Sequence, residues 1–191
     1  MTSPPPPSGP GDSLSLSEVM RLLAAKKLPP VDKWHPDHCG DSDMRIAADG
    51  TWYHQRTPIG RPAMVKLFST ILRREADGSH VLVTPVEKLD IVVDDAPFVA
   101  VELQSEGEGR ARQLGFRLNI DDWVVAGPQN ALRIEFAADG TPRPYLHVRR
   151  GLEALINRPV FYELIELALT ENADPLGLWS DGAYFPIGTA A

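Results

Sequence analysis

The sequence predicts an α+β fold. A β-hairpin–helix motif occurs twice, and the C-terminal part forms a curved antiparallel sheet or partial barrel closed by a helix, a pleckstrin-homology-like layout. Three observations carry this prediction. First, Ala47-Ala48-Asp49-Gly50-Thr51 recurs identically as Ala137-Ala138-Asp139-Gly140-Thr141, and self-similarity of this kind marks a repeated supersecondary unit. Second, each copy sits in a longer matching frame. Arg45-Ile46 and Arg133-Ile134 precede the copies, Trp52-x-His54-x-Arg56 and Tyr145-x-His147-x-Arg149 follow, and then come Arg61-Pro62 and Arg158-Pro159. The offset grows from 88 to 90 to 93 to 97 residues, as it does when loops lengthen between matching elements. Third, the chain turns β-rich from residue 89 onward, with short connections that imply antiparallel neighbours.

The elements follow in order. Residues 1–13 are almost all Pro, Ser and Gly, with no apolar side chain to offset the entropy of ordering, and read as a disordered tail. Ser15-x-x-Glu18 is a capping box, and Leu16, Val19, Leu22 and Leu23 follow at helical spacing. That helix stops before Pro29-Pro30, which supply no amide donors. Strands at 44–47 and 51–57 flank Asp49-Gly50, a pair that tolerates the positive φ of a tight hairpin turn. Pro62 opens a helix at a position where its missing N–H costs nothing. Met64, Leu67, Phe68, Ile71 and Leu72 give that helix one apolar stripe. Asp77-Gly78 ends the unit, and 81–84 is a short apolar strand.

In the second half, strands are predicted at 91–93, 98–103, 114–120, 123–126, 132–136 and 145–149. Turns at Glu106-Gly107-Glu108-Gly109, Gly127-Pro128 and Asp139-Gly140 separate them. A helix from Pro159 presents Phe161, Leu164, Ile165, Ala168 and Leu169. The domain reading is a tail at 1–13, a small α+β domain at 14–85, and a β-rich domain with a C-terminal helix at 86–191. No long linker divides the halves, so they are expected to pack together.

Composition excludes several classes. The formal net charge of −7 argues against a nucleic-acid partner, which needs a basic field. The basic pairs Lys26-Lys27, Arg73-Arg74 and Arg149-Arg150 read as solvated faces or helix ends. The single cysteine, Cys39, closes no internal disulfide, so no oxidising compartment is required. No apolar run approaches the roughly 20 residues of a membrane span, and the N-terminus lacks a secretory pattern. A cytoplasmic protein is expected.

Several blocks carry a family resemblance. Cys39-Gly-Asp-Ser-Asp-Met-Arg-Ile46, Asp49-Gly-Thr-Trp52, Thr57-Pro-Ile-Gly-Arg-Pro62, Val83-Thr-Pro-Val-Glu87 and Asp95-Ala-Pro-Phe98 are five of them. Gly151-Leu-Glu-Ala-Leu155, Arg158-Pro-Val-Phe161 and Trp179-Ser-Asp-Gly-Ala-Tyr-Phe-Pro186 complete the set. Over residues 28–188 the chain resembles the bacterial family catalogued as domain of unknown function 1285. The resemblance implies repeated, partly pleckstrin-homology-like motifs and a part in signal transduction. It brings no catalytic residues; the Pro-rich tail lies outside it.

Two clusters are candidates for chemistry. Trp52, His54 and Arg56 alternate on a strand and so share a face, as do Tyr145, His147 and Arg149. Arginine offers a fork of donors to carboxylate or phosphate, and the aromatic neighbour stacks on a ligand or on the guanidinium. These six residues are the candidate site for a small anionic ligand or a peptide. The opposing account is a solvent-facing strand carried along by duplication. The second cluster is Asp32, His35, Asp37, His38, Cys39, Asp41 and Asp43, whose N, O and S donors suit a transition metal. Within it His35, His38, Cys39 and Asp41 are the candidate ligands of an alternative reading, a metal-dependent hydrolase-like enzyme. The spacing matches no named zinc pattern, and Pro36 and Gly40 point to a polar connecting loop. There is no Gly-x-Ser-x-Gly elbow and no phosphate loop ending in Gly-Lys-Ser/Thr. The favoured reading is therefore a non-enzymatic binding or signalling module, with no catalytic residue and no cofactor assigned.

Overall fold

The computed structural model describes residues 28–188. The predicted tail, the capping-box helix and Lys26-Lys27 lie outside the described residues. The rest is mostly β, with two helices and two curved six-stranded mixed sheets.

The first sheet contains β1 (His38–Ile46), β2 (Trp52–His54), β3 (Thr57–Pro58), β4 (Leu72–Arg74), β5 (His80–Val83) and β6 (Lys88–Val93). Their order across the sheet is β3-β2-β1-β6-β5-β4. The second contains β7 (Phe98–Glu106), β8 (Gln113–Leu118), β9 (Trp123–Val125), β10 (Leu132–Phe136), β11 (Pro142–Arg149) and β12 (Leu152–Ile156). Its order is β10-β11-β12-β7-β8-β9. Counted from each unit's own first strand and read from the matching edge, the two orders are the same. In both, the first and last strands form a parallel pair at the centre, β1 with β6 and β12 with β7, while every other pairing is antiparallel. A small antiparallel pair, β13 (Gly177–Ser180) and β14 (Ala183–Pro186), follows.

The duplication thus lies in the sheets, and it does not follow the pattern predicted from the repeated pentapeptide. Residues 47–51 join the first and second strands of their sheet, whereas 137–141 join the fourth and fifth of theirs. The true counterpart of 137–141 is Glu75-Ala76-Asp77-Gly78-Ser79, between β4 and β5. All three are one turn design. Gly50, Gly78 and Gly140 have φ of 84, 89 and 80°, and their amides donate to Ala47, Glu75 and Ala137 at 2.9, 3.0 and 2.8 Å. Asp49, Asp77 and Asp139 each accept the amide two residues on at 2.9 Å. Ala-Asp-Gly-Thr/Ser is favourable chemistry for a three-residue hairpin loop, so its recurrence reports the turn. The helices confirm the mismatch: α1 (Pro62–Thr70) links the edge strands β3 and β4, while α2 (Arg158–Glu171) follows the central strand β12. The expected wholly antiparallel second sheet is likewise mixed, because closing the unit brings β12 alongside β7. The division at 85/86 falls between β5 and β6, inside the first sheet.

One apolar core serves both sheets. Ile46, Trp52 and Leu72 from the first meet Phe98, Phe116 and Leu146 from the second and Leu164 of α2. A smaller cluster of Val31, Val81 and Val83 packs against Trp34. The apolar face predicted for α2 holds at Phe161, Leu164 and Ala168, with Leu169 left 61% exposed. Asn157 caps that helix by accepting the Val160 amide at 3.0 Å, and Asn172 ends it in the left-handed region. The stripe predicted for α1 holds in part: Phe68, Ile71 and Leu72 reach the core, while Met64 and Leu67 do not. The helix stops at Thr70, Ile71 and Leu72 pass toward β4, and Met64 and Leu67 are 36% and 63% exposed. Val65, outside the predicted stripe, also packs on the core. No helix among the described residues is long and apolar enough to cross a membrane.

Candidate functional site

The structure does not bring the six predicted ligand-binding residues together on one surface. Trp52 is 1% exposed, part of the common core, and lies roughly parallel to Phe68 with ring centroids 6.5 Å apart. His54 is exposed at the end of β2. Arg56 lies past that strand in a turn, with φ of 67°, so strand alternation no longer places it beside His54. In the second set, Tyr145 is buried and its hydroxyl donates to Asp95 at 2.8 Å; burial, with Asp95 beside it, pushes the phenol up to about 12. His147 pins a loop. Its Nδ1 faces the Gln129 carbonyl at 2.8 Å and its Nε2 accepts the Gly151 amide at 3.1 Å, the geometry of a neutral ring protonated at Nδ1.

Arg149 leaves that face altogether. A bulge in the β11–β12 register between His147 and Arg149 sets Arg149 opposite the buried Leu152, while His147 stands opposite Glu153. The Arg149 guanidinium lies 5.0 Å from the Phe98 ring and donates to the Ser69 carbonyl at 2.8 Å. Ser69 sits in the last turn of α1, where carbonyls lack helical partners. Arg149 therefore ties the end of α1, in one unit, to β11 in the other. Burial lowers its affinity for a proton, Asp122 acting in the opposite sense. We expect Arg149→Ala to cost about 1.5–3 kcal/mol, the range for hydrogen bonds to charged groups. Urea unfolding checks this; an unchanged midpoint would show that the tie carries no stability.

Arg73 is engaged in the same way, contrary to its reading as a solvated face, whereas Arg74 and Arg150 are exposed as that reading expects. Arg73 donates to the carbonyls of Val31 and Trp34 at 2.8 and 2.7 Å, and Arg150 pairs with Asp32 at 2.6 Å. The Asp32 to Asp43 cluster is partly dispersed. Asp32 is taken by Arg150, His35 is exposed, His38 meets Asp90 at 2.9 Å, and Asp41 accepts the Asp43 amide at 2.8 Å. The Cys39 side chain lies outside the described residues. The stretch 38–43 is also not the predicted loop: it belongs to β1, bulged at two places. Among the described residues, no three His, Cys, Asp or Glu side chains gather into a metal-binding group.

A different place combines apolar walls with an unused donor. A cleft of about 370 Å³ opens between the units. Gly50 and Thr51 of the first hairpin turn form one side, Ile59 through Lys66 at the start of α1 a second, and Asn119-Ile120-Asp121, between β8 and β9, the third. Trp52 contributes to the wall. Asn119 holds the two units at this point: its Oδ1 accepts the Val99 amide at 3.1 Å and its Nδ2 donates to the Gly50 carbonyl at 3.2 Å. Lys66 pairs with Asp122 at 2.8 Å, and Asp121 with Arg117 at 3.0 Å. The start of α1 has Arg61 at its N-cap, no capping side chain and no acidic residue in the first turn. Trp52 Nε1 is buried and has no hydrogen-bond acceptor.

Sequence reading found Trp52 and missed Lys66, Asn119 and the α1 start. One signal was available: a Pro-opened helix preceded by arginine, where Ser, Thr, Asp or Asn is usual, has no side-chain cap.

The model of the N-terminal domain of "Domain of unknown function (DUF1285)" matches residues 29–96, and that of the C-terminal domain of "Protein of unknown function (DUF1285)" matches 97–187. Their junction falls between β6 and β7. A crystal structure of a DUF1285 family protein from Silicibacter pomeroyi is 51% identical, with a TM-score of 0.79 over 90% of this chain and 95% of that one. One from Shewanella baltica is 25% identical, with a TM-score of 0.52 over 65% of this chain and 91% of that one. No match was found among curated proteins.

Proposed function

Because the chain belongs to the DUF1285 family, whose description assigns no activity, we propose from its geometry that it is a non-catalytic binding module holding a small anionic ligand or short peptide between its two units. The observation that carries this is the cleft between the units, with an apolar wall of Trp52, Ile59, Val65 and Ile120 beside the uncapped start of α1. Concave sites between units, largely apolar with a few placed polar groups, are the usual setting for a bound small molecule. The chain's net charge of −7 means that an anion must find local positive potential, and a helix N-terminus with no acidic residue in its first turn supplies it, the cleft's own Asp121 being paired with Arg117. We extend the proposal to a role in signalling, which the family resemblance of the sequence implies. A cytoplasmic location accords with the single cysteine.

Ala63→Phe tests the reading. Ala63 is exposed on α1 and lines the cleft, so a phenyl group there fills the space without entering the core. In NMR titrations with a panel of small anions and short peptides, we expect shifts at Thr51, Gly60 and Asn119 that Ala63→Phe abolishes. Shifts that survive this substitution would place binding elsewhere.

A further inference from the structure

Among the described residues, Trp52 Nε1 is the single buried side-chain nitrogen or oxygen without a hydrogen-bond partner. Leaving such a donor unmade is costly, and a native orphan asks for a reason. Packing alone does not supply one, because a phenyl ring would fill much of the same wall with no polar atom. The orphan also sits beside a helix start that no side chain caps, where Met64 and Val65 share the single Arg61 carbonyl at 3.0 and 3.2 Å. Trp52 lines the same cleft as Pro62 and Ala63, at the start of a nine-residue helix whose first turn has no side-chain cap and no acid. The indole N–H is a donor without an acceptor and the helix start is a positive dipole end, while Asp121 on the facing wall is paired with Arg117.

Building on the cleft reading, we infer that the ligand carries a carboxylate, one oxygen of which accepts the Trp52 indole N–H while its charge lies at the start of α1. A carboxylate is acceptor-only when ionised and takes several donors at once. Its charge favours a helix N-terminus over a neutral amide or alcohol. The nitrogen is shut from solvent in the free protein, so entry requires the rim to give way. Lys66, a flexible side chain held by a partly exposed pair with Asp122 and a long contact of 3.5 Å to the Asp121 carbonyl, is the wall member able to swing aside. A small carboxylic acid and the free C-terminus of a peptide share this chemistry.

The experiment is a ¹H–¹⁵N titration of the full chain, following the indole signals of its four tryptophans. Trp52 is assigned by its loss in Trp52→Phe. Phenylacetate and acetyl-trialanine with a free C-terminus are the probes, and phenylacetamide and the trialanine amide the controls. A saturable downfield move of the Trp52 indole proton is expected with one of the acids, with its amide about tenfold weaker. The acid that acts separates small molecules from peptide ends. Thr51 and Asn119 shifting while the indole signal stays still would overturn the inference and leave the cleft reading intact. Equal binding of acid and amide would overturn it too, as would no response to either acid in a protein whose cleft binds another member of the panel. Trp52→Phe adds a second readout, since an orphan donor costs stability and a satisfied one gives it. The variant should lose carboxylate binding without losing a hydrogen bond's worth of slow exchange at neighbouring amides. Loss of that protection would mean that the indole already has a partner, and would also overturn the inference.

Discussion

Glu171→Ala is expected to destabilise the protein by about 3 kcal/mol, the lower end of the range for removing one partner of a buried ion pair. Arg112 is 7% exposed, and two of its nitrogens donate to Glu171 Oε1, at 2.6 and 3.2 Å. Its remaining terminal nitrogen donates to Ser105 Oγ at 2.6 Å, and the Gly109 amide also reaches Glu171 at 3.3 Å. Removing the carboxylate leaves a buried guanidinium with one neutral partner and frees the last turn of α2 from the β7–β8 connection. The pH dependence has a definite sign. The Arg112 hydrogen bond holds the Glu171 carboxyl below its ordinary value. Its contribution is therefore complete above the unfolded value of about 4.3 and is lost as pH falls through the lower folded value. The gap between wild type and Glu171→Ala in urea midpoints should be constant from pH 7 to about 5 and close on further acidification. A gap that persists unchanged at pH 3 would mean that the loss comes from packing alone.

The second large effect compares two identical pentapeptides. Gly50 and Gly140 have nearly the same φ, 84 and 80°, so alanine at either place incurs backbone strain of about 1–2 kcal/mol. Their surroundings differ. A Cβ on Gly50 would lie 2.5 Å from Asn119 Nδ2 and 2.9 Å from Val99 Cγ2, while one on Gly140 meets nothing within 4 Å. Asn119 cannot retreat without giving up its bonds to Val99 and Gly50. Gly50→Ala should therefore cost about 1–3 kcal/mol more than Gly140→Ala, the usual penalty of overpacking. Thermal unfolding of the two variants side by side decides it, and equal losses would mean that the units do not meet at Asn119 in solution.

The comparison also marks where sequence reading reaches and where it stops. Turn chemistry is local, so Asp49-Gly50, Asp77-Gly78 and Asp139-Gly140 were legible as turns. Which strands a turn joins is decided by contacts far apart in the chain, and the same five residues serve two different places in the two sheets. The parallel pairing of β1 with β6 leaves no trace in a window of ten residues. Strand alternation put Trp52 and Tyr145 on a ligand-binding face, yet both are buried, and a one-residue bulge before Arg149 reversed the face of the side chain that mattered most to the anion reading. The helix from Pro62 was legible in its start and only partly in its stripe, because periodicity does not reveal that the helix ends at Thr70. The cleft was out of reach for the same reason as the pairing: Thr51, Lys66 and Asn119 are neighbours only after the two units have packed.

The central parallel pairs have a consequence for how the chain is made. Protein synthesis delivers strands in order, yet each sheet sets its first strand beside its last. β1 leaves the ribosome early and gains its inner neighbour only when Lys88–Val93 has followed. At roughly 5–20 residues per second, the intervening stretch takes a few seconds to appear. Throughout that interval one side of β1 is an open strand edge, able to pair with any other nascent chain. The second unit repeats the wait between β7 and β12. Parallel neighbours need a crossover and no short link can replace it, so slowing translation between β1 and β6 lengthens the exposure, and we expect it to lower the soluble yield of newly made chain.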